Sequence, residues 1–207
     1  VSDQKRAQKV ADFLGIPFYV LNYEAEYKKY VFDYFIKEYK KGNTPNPDVL
    51  CNTYIKFGAL LKFVQNISPD GYLATGHYAR RSRANFEFKI ENFTKDRHLL
   101  RGLDKSKDQS YFLWQLNQDQ LSRVIFPLGE LTKKEVRKIA LKHNLPNAAQ
   151  KDSQGICFVG KLDVSQFLHI FLSKKPGLIK DLKGKIVGQH DGAWFYTVGQ
   201  RKGIKVD

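Results

Sequence analysis

Methionine is absent from the sequence, and cysteine occurs only at positions 51 and 157. Two cysteines so far apart exclude a disulfide-stapled secreted scaffold, and neither sits in a CxxC pair of the kind that holds zinc. A reducing compartment is expected, with the cytoplasm as default and the mitochondrial matrix as alternative. Long apolar runs are missing: stretches such as Ala59 to Leu61 are far too short to span a bilayer, so no membrane partner is expected. No Walker loop, GxGxxG, HExxH or nucleophile elbow occurs. No repeat or low-complexity tract is evident, and no basic, apolar, then small-residue pattern opens the chain. With no initiator, an opening at Val1 in mid-helix and a stop at Asp207 after a strand-like segment, the chain reads as a piece of a longer protein.

Acidic residues are the other shortage. Against 35 Lys and Arg stand 21 Asp and Glu, a net charge of +14 over 207 residues. Solubility alone accounts for a basic surface, but phosphates gain more from it, through counterion release, which makes a polyanion partner the sharper reading. Hydrophobic residues at 42% and aromatics at 14% are enough to bury a core.

Along the chain, residues 4–14 carry apolar positions at helical spacing, with Gly15 as a C-terminal stop. Ile16 to Leu21 reads as a short buried strand, and Ala25 to Tyr39 as an amphipathic helix. Prolines 45 and 47 stiffen the loop that follows. A helix over about Asn52 to Val64 and a strand over Gly71 to Thr75 come next. Helix, strand, helix, strand in this order predicts an α/β fold with a parallel sheet. Ala79 to Arg101 is polar and irregular, an exposed strand–loop excursion. Gln109 to Leu116, Gln118 to Val124 and Lys133 to His143 read as helical, the last opened by Thr132 as N-cap. From Gly177 onward, glycines at 184, 188, 192, 199 and 203 punctuate short strands, the start of a β-rich domain.

Several segments have the composition of chemistry. In TPNPDVLCN, a helix starting near Asp48 puts that carboxylate and Cys51 on one face, one turn apart. The dipole then favours the thiolate and the aspartate is free to handle protons; equally, Asp48 caps the helix and Cys51 packs inward. In KDSQGICFVG, Cys157 lies between two glycines near Lys151 and Lys161, which lower a thiol pKa if they point at it; a core strand is the alternative. Lys107-Asp108-Gln109 has the polarity to grip phosphate or a base edge, or simply to make a capped, solvated loop. Ala74-Thr75-Gly76-His77-Tyr78 ends a strand, where open α/β sheets bind ligands and where Gly76 permits close approach. Arg201 and Lys202, after Tyr196-Thr197-Val198-Gly199-Gln200, are placed to meet RNA phosphates.

The segments GNTPNPDVLCN, IKFGALL, ATGHYAR, LLRGLDKSKDQSYFL, FPLGELTKKEVRKIA, KDSQGICFVG and YTVGQRKG, in that order, closely resemble the tRNA-specific 2-thiouridylases. These are ATP-dependent enzymes that thiolate the wobble uridine. The resemblance runs from near Val1 to Gly203. It implies the C-terminal part of a PP-loop, Rossmann-like α/β adenylating domain over 1–115, a small, mainly helical central domain carrying the second cysteine loop over 116–172, and the start of a β-barrel over 173–207.

By position, the resemblance gives Cys51 the role of nucleophile and Cys157 that of persulfide carrier. It makes Asp48 the acid/base and Asn46, Pro47 and Asp48 the segment meeting the target base. Gly76 becomes an ATP contact, and Lys107, Asp108 and Gln109 a tRNA contact. ATP, with magnesium as its counter-ion, is the implied co-substrate, and no protein-bound metal is expected. The implied partners are a tRNA with a wobble uridine and a sulfur-donor or relay protein; a monomer is expected. The family's Ser-Gly-Gly-Val-Asp-Ser-type phosphate loop lies upstream of Val1 by this reading, so the chain alone is expected to bind ATP poorly. An inert tRNA-binding fragment and another α/β ATP pyrophosphatase acting on RNA are the alternatives.

Overall fold

A computed structural model describes residues 2–82, 97–150, 163–201 and 203–204. Contacts divide the chain into two compact units: Val1–Glu24 with Cys51–Ser153, and Ala25–Leu50 with Gln154–Asp207.

The first unit opens with α1 (Ser2–Leu14). Gly15 ends it at φ +64°, a conformation glycine adopts without a Cβ penalty. Residues 51–67 are helical: Cys51–Leu60 is wound as a π-helix and Leu61–Ile67 is α5. Strand β1 (Leu73–Ala74) pairs in parallel with β4 (Val124–Ile125), Leu73 opposite Val124. Strand β2 (Ala79–Arg81) pairs antiparallel with β3 (Leu99–Arg101). Helix α6 (Gln118–Ser122) precedes β4, and α7 (Lys133–Lys142) follows it. Phe57, Ala79, Leu113, Leu116, Leu121, Val124 and Phe126 form the core, with Leu73 and Leu99 against it. The π-helix contributes Phe57, 1% exposed, and β2 contributes Ala79, fully buried, so both elements are anchored by apolar burial rather than by propensity.

In the second unit, α2 (Glu24–Tyr27) begins one residue before the division and leads into a π-wound turn, Lys28–Phe32. Helix α3 (Asp33–Lys40) continues it, and α4 is Pro47–Leu50. Helix α8 (Val164–Phe171) and the antiparallel hairpin of β5 (Gly177–Lys180) and β6 (Ile186–His190) complete the unit. Its core is aromatic: Phe35, Tyr39, Phe167 and Phe195 with Leu168 and Leu172. Phe32 meets Phe171 edge-on, with centroids 5.0 Å apart.

The parallel pair among helices and the later hairpin agree with the expected fold class. Four local expectations fail. Residues 16–21 form no strand, and Ile16, Tyr19 and Val20 are 55%, 76% and 61% exposed. A strand needs a neighbour for its backbone groups, and among the described residues none pairs with this segment. Val124 opens β4 rather than closing a helix, because α6 already stops at Arg123. Ser110–Phe112 is one 3₁₀ turn where a longer helix was expected. The 79–101 stretch was expected to be exposed, yet Ala79 and Ser82 are buried; residues 83–96 lie outside the described residues.

Helix α7 starts as its sequence dictates. Thr132 accepts from Glu135 N while Glu135 reaches back to Thr132 N at 2.7 Å, a full capping box. Thr132→Ala is expected to cost about 1 kcal/mol, read as a Tm lower by roughly 2–4 °C. An unchanged Tm would mean the box adds nothing to stability.

Candidate active site

Cys51 begins the π-helix and is half-buried. The wide winding brings Gly58 against the turn below it, where a Cβ would stand 3.0 Å from Thr53 O. Three side chains fasten this helix to residues 112–120. Asn52, 2% exposed, donates from Nδ2 to Phe112 O at 3.4 Å. Thr53 Oγ1 donates to Gln115 Oε1 at 3.2 Å. Gln120 Nε2 donates to Thr53 O at 3.2 Å and to Phe57 O at 2.8 Å, while its Oε1 accepts from Asn117 N in the α6 capping box. Asn52 Oδ1 stays buried without a partner among the described residues, a costly arrangement for a polar atom.

Neither Asn52 nor Gln120 was singled out from the sequence. Asn117-x-x-Gln120 has the spacing of a capping box and was the available signal.

Gly76 follows β1 and is exposed. Thr75 N donates to Ile125 O at 3.0 Å, extending the parallel ladder to the residue before it. An added Cβ at Gly76 would meet only Leu128 Cδ1, at 3.8 Å, so the site has room. Next to it His77 is buried, its Nδ1 2.9 Å from Thr75 Oγ1 and its ring against Phe57 and Phe126. Burial first, and the charge of Lys56 second, push His77 down to about 4.

His77 is therefore neutral in the folded protein at pH 7, and the unfolded chain binds the extra proton between pH about 6.5 and 4. Stability from this group is complete above pH 6.5 and lost as pH falls through 4, by about 3 kcal/mol. His77→Gln is expected to flatten the acid limb of a Tm-against-pH curve. An acid limb as steep as the wild type would refute the assignment.

The loop 107–109 closes on this same segment. Tyr78 N donates to Gln109 Oε1 at 3.0 Å and Gln109 N donates to Tyr78 O at 2.9 Å, so Gln109 pairs with Tyr78 as a strand would. Asp108 Oδ1 accepts from Gly102 N at 2.9 Å and Ser110 N at 3.2 Å, and its Oδ2 from Ser110 Oγ at 3.0 Å. Burial raises the Asp108 carboxyl, but those donors and Arg101 outweigh it and hold it below the usual carboxylate range. Lys107 is exposed. The first unit thus brings Gly76 and the 107–109 loop together through Tyr78.

Asn46, Pro47 and Asp48 fall in the second unit. Asn46 Oδ1 accepts from Asp48 N at 3.1 Å, and Pro47 opens α4, where its missing N–H costs nothing. Pro47 is buried, Asn46 exposed and Asp48 half-buried. Cys157 lies outside the described residues. A cleft of about 530 Å³ beside Phe57, Leu61, Lys62, Gln120 and Arg123 is lined by none of the residues predicted from the sequence. Among the described residues, no group of three or more His, Cys, Asp or Glu is placed to hold a metal, and no helix is long and apolar enough to cross a membrane.

A parallel strand pair among helices, with open loop backbone where β1 ends, is an α/β arrangement, the class whose sheets bind ligands at the carboxyl ends of their strands. The chain belongs to the tRNA methyl transferase HUP-domain family, whose model matches residues 1–161; the tRNA methyl transferase PRC-barrel domain matches residues 165–207. It is 52% identical over 204 residues to tRNA-specific 2-thiouridylase MnmA 1 of Geobacillus kaustophilus, covering 99% of this chain and 52% of that protein. It is 51% identical over 200 residues to the MnmA 2-thiouridylase of Nitrosomonas eutropha, covering 97% and 53%. To the Alkaliphilus oremlandii protein of the same name it is 49% identical over 204 residues, covering 99% and 53%. The chain spans about half the length of the curated relatives it matches.

Proposed function

We propose that this chain is part of a tRNA 2-thiouridylase, replacing the C2 oxygen of the wobble uridine by sulfur. The reading rests on one observation: identity near one half to proteins named tRNA-specific 2-thiouridylase, over 97–99% of this chain. The family model's description speaks of methyl transfer, whereas the similar proteins are named for thiolation.

The C2 carbonyl of uridine is urea-like and a poor electrophile, so its oxygen needs conversion to a leaving group. ATP, bound with magnesium as counter-ion, supplies this by adenylating that oxygen, with pyrophosphate released. Exposed Gly76, with room above its Cα, offers backbone for nucleotide approach. Cys157 carries the sulfur as a persulfide loaded by a donor or relay protein. Its terminal sulfur reaches C2 by direct attack or as released sulfide, and AMP leaves with the oxygen. Cys51 thiolate attacks the Cys157 sulfur, forming the Cys51–Cys157 disulfide and freeing the thiocarbonyl base. Sulfane sulfur is reduced to the thiocarbonyl level while two thiols are oxidised to a disulfide, so electrons balance. Asp48 moves protons for the base and for Cys51. Asn46 and Pro47 meet the base, while Lys107, Asp108 and Gln109 meet the tRNA, Lys107 by charge and the other two as a rigid mount.

The test is the full-length gene in cells lacking their own enzyme, with tRNA nucleosides quantified by mass spectrometry. Restored 2-thiouridine is expected. A methylated uridine in its place, or no change, would overturn the reading. Gly76→Ala in that protein is expected to raise the KM for ATP severalfold while leaving Tm unchanged, because the added methyl meets no backbone; an unchanged KM would remove Gly76 from the nucleotide site.

A further inference from the structure

Helix α7 carries five cations, Lys133, Lys134, Arg137, Lys138 and Lys142, against one carboxylate, Glu135. At about 100° per residue, the cations fall on one half of the helix circumference. Two of them serve the fold: Lys133 Nζ lies 5.7 Å from the Tyr78 ring centroid, and Arg137 donates to Ala148 O at 3.0 Å. The other three, Lys134, Lys138 and Lys142, are exposed, and among the described residues none has a carboxylate partner. Their spacing of four residues aligns them in one row, each step advancing about 6 Å along the axis. Glu135 is committed to the capping box with Thr132.

The row does not stand alone. Asp104 Oδ2 accepts from Lys133 N at 2.9 Å, which seats the loop bearing exposed Lys105 and Lys107 at the start of α7. That loop leads into the 107–109 segment already assigned to tRNA. Three like charges with no counter-charge repel one another, a cost that goes unoffset unless a polyanion completes the surface. We propose that Lys134, Lys138 and Lys142 form a track for the phosphate backbone of RNA, continuing the contact made at Lys107. The assignment rests on the tRNA reading above. Within the cationic arc the apolar side chain is Leu141, 60% exposed, too little to anchor the helix on lipid. Phosphate contact of this kind positions the substrate without reading sequence.

The experiment compares the full-length wild-type protein, the triple variant K134Q/K138Q/K142Q and a control, K180Q/K183Q/K185Q, which removes the same charge from exposed lysines of the β5–β6 hairpin. Glutamine keeps helix propensity, and a Tm within a few degrees of wild type verifies folding. Binding to an unmodified tRNA transcript is titrated from 0.05 to about 0.5 M salt. The α7 variant is expected to bind tenfold to a hundredfold more weakly at about 0.1 M, with the slope of log K against log salt shallower by about 2. The control is expected to lose markedly less. Equal losses in both variants, or wild-type affinity and slope in the α7 variant, overturn the track while leaving the thiouridylase reading standing. So does wild-type tRNA binding combined with lost binding to phosphatidylserine vesicles, which assigns the row to lipid. Absence of tRNA binding by the full-length wild-type protein sinks the track and the tRNA reading together.

Discussion

Gly129→Ala is expected to destabilise the first unit by about 3–4 kcal/mol and to lower Tm by roughly 10 °C. Gly129 lies in the turn after β4, where its N–H donates to Phe126 O at 3.1 Å and its carbonyl accepts from Leu103 N at 2.8 Å. A Cβ there would overlap the Ala79 carbonyl oxygen outright and stand 2.6 Å from Arg80 Cγ and 2.8 Å from Ala79 C. Ala79 cannot yield: it is fully buried, sits in the core cluster and pairs with Arg101 across β2–β3. The Gly129 turn cannot yield either without breaking its bonds to Phe126 and Leu103. One of the two must separate, and both border the segment that carries Gly76, His77 and Tyr78. Gly76→Ala is the internal comparison, since its methyl makes only an ordinary contact with a leucine side chain. A Gly129→Ala protein melting with the wild type would show that the turn does not press on β2.

The contrast between those glycines shows where the sequence is legible. Local signals read well: Gly15 as a stop, Thr132 as a cap, and glycines in the hairpin, where Gly184 adopts φ +84°. Each is decided within a few residues. The α/β class was legible because alternation of helix and strand constrains topology, and the parallel β1–β4 pair agrees. Ile16 to Leu21 misled because composition records an apolar strand former, not whether a neighbouring strand exists. The π winding of Cys51–Leu60 was not legible, since the apolar spacing marks the segment as helical without fixing whether each N–H pairs four or five residues back.

At the site, motif order marked Gly76 and the 107–109 loop, but not how they are joined. Gln109 pairs with Tyr78, 31 residues away, and a bond at that separation has no local pattern. The capping-box spacing marks Gln120, but its bonds to two carbonyls of the cysteine helix, 67 and 63 residues away, have no local pattern either.

In the full-length protein, Cys51→Ser and Cys157→Ser are each expected to reduce tRNA 2-thiouridine by more than about a hundredfold, and the double variant no further. Non-additivity follows from the proposed chemistry, in which one thiol carries the sulfur, the other releases the product, and neither half turns over alone. The two variants differ before turnover. Cys51→Ser is expected still to accept sulfur at Cys157 and to accumulate persulfide when donor is supplied, whereas Cys157→Ser is expected to accumulate none. Serine at 51 is expected to leave the fold intact, because the half-buried thiol lies outside the core cluster and Asn52, Thr53 and Gln120 fasten the π-helix to residues 112–120. Its Tm is expected within about 2 °C of wild type, which separates lost chemistry from lost structure. Mass spectrometry of the wild-type protein after one turnover, without reductant, is expected to find a peptide pair joined through Cys51 and Cys157. If 2-thiouridine persists in Cys51→Ser, the disulfide step is wrong and that thiol is packing. If it persists in Cys157→Ser, the sulfur reaches uridine C2 without a persulfide on this chain, and the remaining role of Cys51 has to be that of a bystander or of the carrier itself, a choice the persulfide measurement on each variant decides.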